Sequence, residues 1–100
     1  MKVFEETAAK APQNPFIWRA LGGTLRLMPG RLPEAKERLL RATELAPDDA
    51  LSWLGYGEVC EKLELWEDAS AAFQKCRNLD PPDLLADKAE QGINRLTSRS

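Results

Sequence analysis

The stretch Trp18-Arg19-Ala20-Leu21-Gly22 decides the fold, because it returns as Trp53-Leu54-Gly55-Tyr56-Gly57. Working outward, Trp18-x-x-Leu21-Gly22-x-x-Leu25 is followed by Ala35-x-x-x-Leu39 and then Pro47. Trp53-x-x-Tyr56-Gly57-x-x-Cys60 is followed in the same way by Ala69-x-x-x-Phe73 and Pro81. Trp18 and Trp53 lie 35 positions apart, Ala35 and Ala69 lie 34 apart, and Pro12, Pro47 and Pro81 recur at 35 and 34. A fixed period of this length marks stacked supersecondary units, each burying its apolar face on a neighbour.

The spacing predicts a first helix over Pro15 to Met28, with Trp18, Leu21, Gly22 and Leu25 on one face at i, i+3, i+4 and i+7. Pro29-Gly30 ends it, and Pro33 suits an early position of a second helix running to about Ala46. Ala35, Leu39, Ala42 and Leu45 point inward on that helix, while Lys36, Glu37, Arg38 and Arg41 point largely outward. Pro47-Asp48-Asp49 closes the unit, where an aspartate can cap the next helix. A third helix over Ala50 to Leu63 buries Trp53, Tyr56, Gly57 and Cys60; a fourth over Glu67 to Leu79 buries Ala69, Phe73, Cys76 and Leu79. Asp83 to about Thr97 forms an amphipathic helix with Leu85, Ala89, Ile93 and Leu96 on one stripe, and Ser98-Arg99-Ser100 is expected to fray. A mid-helix glycine costs roughly 1 kcal/mol against alanine. Gly22-Gly23 and Gly55-Tyr56-Gly57 therefore mark places where helix backbones approach closely.

These residues resemble the tetratricopeptide repeat (TPR), a helix–turn–helix unit of about 34 residues. The resemblance covers Pro12 to Pro81 well and the two ends in part. It implies an all-α fold: an antiparallel helix-hairpin stack, a TPR-like α-solenoid with a C-terminal capping helix. One domain would span 1–100, with a half repeat at 2–12, repeats at 13–47 and 48–81, and the cap at 83–97. The first unit carries one residue more than the family spacing, placed in the turn Met28 to Arg31. Cys76 stands where the family usually has alanine, and Cys60 where it usually has tyrosine.

By the same resemblance, the first helix of each pair lines a concave groove. Its partner-binding positions would be Phe16, Arg19, Gly23 and Arg26 in the first unit, and Leu51, Leu54, Glu58 and Glu61 in the second, with Lys62 at the edge. Phe16, Leu51 and Leu54 would make an apolar floor, Arg19 and Arg26 a basic half, and Glu58 and Glu61 an acidic half. Such a groove suits a peptide or helix segment of another protein. The expected function is a non-catalytic protein–protein interaction scaffold. The alternative is a structural or oligomerisation segment, a fragment of a longer array or a chain that self-associates through residues 2–11. Some members of the family clamp a terminal carboxylate, but here Gly23 and Glu58 replace the needed asparagines and only Arg19 is compatible.

Composition narrows the classes. One hundred residues fit a single small domain, and a net charge of −2 leaves no electrostatic footprint for nucleic acid or a membrane surface. Histidine is absent, which removes the commonest general base and metal ligand. No catalytic, cofactor-binding or metal-ligating residues are expected, and no cofactor. Cys60 and Cys76 match no metal-ligand spacing and read as buried thiols, with a bridge inside one repeat as the alternative. Arg31, Lys36, Arg38 and Arg41 interleave with Glu34, Glu37 and Glu44, the pattern of a solvated outer face. The N-terminal residues lack a signal-peptide pattern and no apolar run spans a bilayer, so a cytoplasmic setting is expected.

Overall fold

Asn14 opens the first helix by accepting the Phe16 N–H on Oδ1 at 3.0 Å, and Pro15 takes the first helical position, where a missing N–H costs nothing. From there the computed structural model describes residues 14–99 as five α-helices. They are α1 (Pro15–Leu25), α2 (Leu32–Leu45), α3 (Ala50–Lys62), α4 (Trp66–Asn78) and α5 (Asp83–Arg99). No strand occurs among the described residues. The expected half repeat at 2–12 and the self-association segment at 2–11 lie outside them.

Two helix ends differ from expectation. α1 stops at Leu25 rather than Met28: the chain tightens so that the Leu27 and Met28 N–H groups donate to Thr24 and Leu25 carbonyls at 3.2 and 3.0 Å. Pro29 disfavours helical backbone in the residue before it, and Gly30 then turns the chain at φ 76°. At the other end, Ser98 and Arg99 remain helical instead of fraying. The Arg99 guanidinium lies 3.9 Å from the centre of the Trp66 ring, which ties the last turn to α4.

The end of α3 is a Schellman motif with glutamate in the glycine position. Glu64 has φ 61°, its N–H donates to the Glu61 carbonyl at 3.0 Å, and the Leu65 N–H donates to Cys60 at 2.9 Å. α4 ends alike at Asp80, φ 53°, but Pro81 follows and has no N–H to complete the pair.

Packing organises the five helices around α3, which touches each of the other four. α1, α3 and α5 make contact in that order, while α2 packs on α1 and α3, and α4 on α3 and α5. One core joins Leu21, Leu25, Ala35, Leu39 and Val59; the other joins Leu54, Cys60, Ala69, Phe73, Cys76, Ala89 and Leu96, and Tyr56 packs against both.

One side chain wedges each core. Leu39 sits between α1 and α3: a Cβ on Gly22 would fall 2.5 Å from its Cγ, and one on Gly55 3.3 Å from its Cδ2. Phe73, one period later, sits between α3 and α5: a Cβ on Gly57 would fall 2.9 Å from Cε1, and one on Gly92 2.6 Å from Cε2. Glycine is present at these sites because the neighbouring helix occupies the volume of a side chain.

Trp18, Trp53, Tyr56 and Leu79, expected to be buried, and Leu45, expected to point inward, are only half-buried. Tryptophan packs its ring while keeping its N–H near polar atoms. Trp53 Nε1 donates to the Pro47 carbonyl at 2.8 Å, and the Arg38 guanidinium covers Trp18 at 5.6 Å from the ring centre. Cys60 and Cys76 are both free and buried.

Candidate functional site

Asp49 precedes α3 as its cap residue, yet its side chain makes no capping bond to the helix backbone. Instead its Oδ2 accepts from Arg19 Nη1 at 2.8 Å and from the Ser52 hydroxyl at 2.6 Å, pinning α1 to the start of α3. Two turns further along, Arg26 Nη1 donates to Glu58 Oε1 at 2.9 Å. Glu61 then accepts two bonds from Arg95 of α5, from Nε at 2.9 Å and Nη2 at 2.8 Å. The paired guanidinium holds the Glu61 carboxyl below its usual range, and the carboxylate in turn raises Arg95 above its own. These three links bind the row α1–α3–α5 along one side.

Arg19, Arg26 and Glu58 of the first two links border a cavity of about 250 Å³. Arg19, Ala20, Gly23 and Arg26 line it from α1 and the residue after it; Leu51, Leu54, Gly55 and Glu58 from α3; Leu85 and Lys88 from α5; Leu39 of α2 contributes at the base. Leu39 and Leu54 are core residues, each 2% exposed, so the bottom is apolar. A Cβ on Gly23 would meet nothing within 4 Å, so this glycine leaves space on the cavity side, unlike its neighbour Gly22.

The nine groove residues expected from the sequence distribute as follows. Arg19, Gly23, Arg26, Leu51, Leu54 and Glu58 line this cavity. Glu61 and Lys62 instead border a shallower depression with Trp66, Arg95 and Arg99. Phe16 stands outside both and is 58% exposed, with the Arg19 guanidinium 5.0 Å from its ring centre. Leu54 belongs to the core more than to a surface. The expected separation into a basic and an acidic half does not describe the charges, because Arg19, Arg26, Glu58 and Glu61 are joined in ion pairs between helices.

The contribution of α5 was missed by the sequence reading, namely Leu85, Lys88 and Arg95. A signal existed: Glu61 and Arg95 are 34 positions apart, one repeat length, as opposite charges on helices of one row. Asp49 was read as a cap, so its bond to Arg19 was missed as well.

Comparison with protein-family models and with curated proteins found no match. The chemistry open to the site therefore rests on its own groups. Among the described residues no three His, Cys, Asp or Glu side chains gather to hold a metal ion. Burial first, with Cys60 beside it, pushes Tyr56 up to about 12. Burial likewise pushes the Cys60 and Cys76 thiols up, so both remain protonated and unreactive at neutral pH. The cavity thus combines an apolar base, an open glycine and a charged rim.

Among the described residues, no helix is long and apolar enough to cross a membrane.

Proposed function

We propose that this chain is a non-catalytic protein-interaction module of the TPR kind, a stack of antiparallel helix hairpins. It takes a peptide or helix segment of a partner protein in the trough made by α1, α3 and α5. The observation that carries this reading is the cavity of about 250 Å³ between those three helices, apolar at its base and charged at its rim. The 34- and 35-residue spacing of Trp, Ala and Pro supports the repeat, as does the Leu39 and Phe73 pair wedged at equivalent places 34 residues apart. The lack of histidine supports a role without catalysis.

Selection of a random peptide display library against the folded chain tests the proposal. Enriched peptides should bind with dissociation constants in roughly the micromolar range, usual for a small pocket with one anchor. Gly23→Leu should weaken them at least tenfold, because the added side chain enters open space in the cavity without touching the core. Peptides bound equally well by Gly23→Leu would contradict the proposal. A chain that enriches no peptide and self-associates would support the structural reading instead.

A further inference from the structure

We infer that the segment bound in the trough carries one bulky apolar residue that fills the cavity and, within two residues of it, an aspartate or glutamate that meets Lys88. The inference rests on the groove reading above and adds the chemistry of the partner.

Size fixes the anchor. Pockets that enclose a drug-sized molecule run to roughly 300–1,000 Å³, whereas a cavity of about 150 Å³ holds benzene. A space of about 250 Å³ over Leu39 and Leu54, with Leu51 and Leu85 beside them, therefore matches one leucine, methionine or phenylalanine side chain.

Charge fixes its neighbour. Arg19, Arg26 and Lys88 line the cavity as cations, against Glu58 as the one lining carboxylate. Asp49 neutralises Arg19, and Glu58 neutralises Arg26. Glu58 also lies in the field of Arg95, so it offers little to a basic ligand. Lys88 is exposed and makes no ion pair among the described residues, which leaves a positive charge on the α5 rim. A carboxylate placed there gains a charge-assisted hydrogen bond beside an apolar wall, while a lysine would meet like charge.

Geometry fixes the spacing. Leu85 and Lys88 are three apart on α5, so their side chains neighbour one another at roughly 5–6 Å. Two residues of an extended peptide span roughly 6.6 Å and place both side chains on one face. An apolar residue against Leu85 thus sets an acid two positions away against Lys88.

Fluorescence anisotropy with three labelled hexapeptide pools tests this, both ends blocked so that no terminal carboxylate is offered. The pools hold Leu or Phe with Glu two positions on, Leu or Phe with Lys two positions on, and Ala with Glu two positions on. The first should bind at least tenfold more tightly than the other two. Lys88→Glu, at an exposed position, should reverse the preference between glutamate and lysine, and Gly23→Leu should abolish binding of the first pool. If the lysine pool binds as tightly, or Lys88→Glu leaves the preference unchanged, the acidic neighbour is wrong, while sensitivity to Gly23→Leu keeps the groove. If the alanine pool binds as tightly, the apolar anchor is wrong. No binding of any pool, or binding indifferent to Gly23→Leu, overturns the inference, and the second result overturns the groove reading with it.

Discussion

The two wedges, Leu39 between α1 and α3 and Phe73 between α3 and α5, occupy equivalent places but fill them differently. Phe73 is fully buried, and side chains added at Gly57 or Gly92 would press on its rigid ring. Leu39 is smaller, presses hard on Gly22 and less on Gly55, and has its other side against the cavity that Gly23 leaves open. The Phe73 side is thus the tightly packed end of the molecule, and the Leu39 side has room for a ligand. One sequence period can serve both purposes because a single wedge residue sets how much space remains.

The largest expected effect breaks or upholds that contrast directly. Phe73→Ala should cost about 3–5 kcal/mol, a large part of the stability of a small domain, and should exceed Leu39→Ala in urea denaturation. Equal or reversed costs would mean the two wedges are not unequal in the way described. Gly92→Ala comes next, at roughly 1–3 kcal/mol, because its Cβ would lie 2.6 to 2.8 Å from three ring carbons of Phe73. The smaller wedge Phe73→Leu should relieve most of that penalty in a double-mutant cycle; additive costs would remove the ring as its cause.

Gly23→Ala should act in the opposite direction, raising stability by up to about 1 kcal/mol in thermal melts, since only helix propensity changes. A loss would show that Gly23 is packed. The same substitution at Gly22, one residue away, should destabilise, because its Cβ meets Leu39 Cγ at 2.5 Å and the Ala35 carbonyl at 3.2 Å.

Alkaline pH sharpens the comparison from another side. Cys60 and Cys76 both belong to the Phe73 core, and burial raises both thiols. The unfolded chain begins to lose these protons near pH ~8.5 while the folded chain keeps them. Stability is therefore full below that value and falls as pH rises above it. Amide exchange should quicken first in α4 and the facing side of α5; uniform quickening across α1 and α2 would contradict the assignment. The smallest effect belongs to Glu61→Gln, which should cost below about 1 kcal/mol because Arg95 is half-exposed. That contribution is present above the usual carboxylate range and is lost as pH falls through the lowered Glu61 value.

The helices were legible because periodicity and punctuation agree along most of the chain. Apolar spacing placed α2, α3 and α4 within a residue of their ends, since Pro33, Asp49 and the turns at Glu64 and Asp80 all act locally. The end of α1 was not legible, because the backbone tightens ahead of Pro29 by bonds that no side-chain pattern announces. The site was legible only in its α1 and α3 walls. The repeat resemblance put Glu58 and Arg26 on a common side, but their mutual ion pair depends on how far the two helices approach. Leu85 and Lys88 read as part of a terminal cap, and Gly92 gave no hint of its contact with Phe73, because both facts arise from α5 crossing a core assembled elsewhere.

A partner seated in the cavity between α1, α3 and α5 must perturb the residues that line it. A titration of the ¹⁵N-labelled chain with a peptide from the leucine–x–glutamate pool, followed by ¹H–¹⁵N correlation spectra, tests that claim most directly. Shifts should concentrate at Gly23, Gly55, Leu85 and Lys88, the walls of the cavity. Shifts confined to the outer faces of α2 and α4, around Leu40 and Gln74, would contradict it.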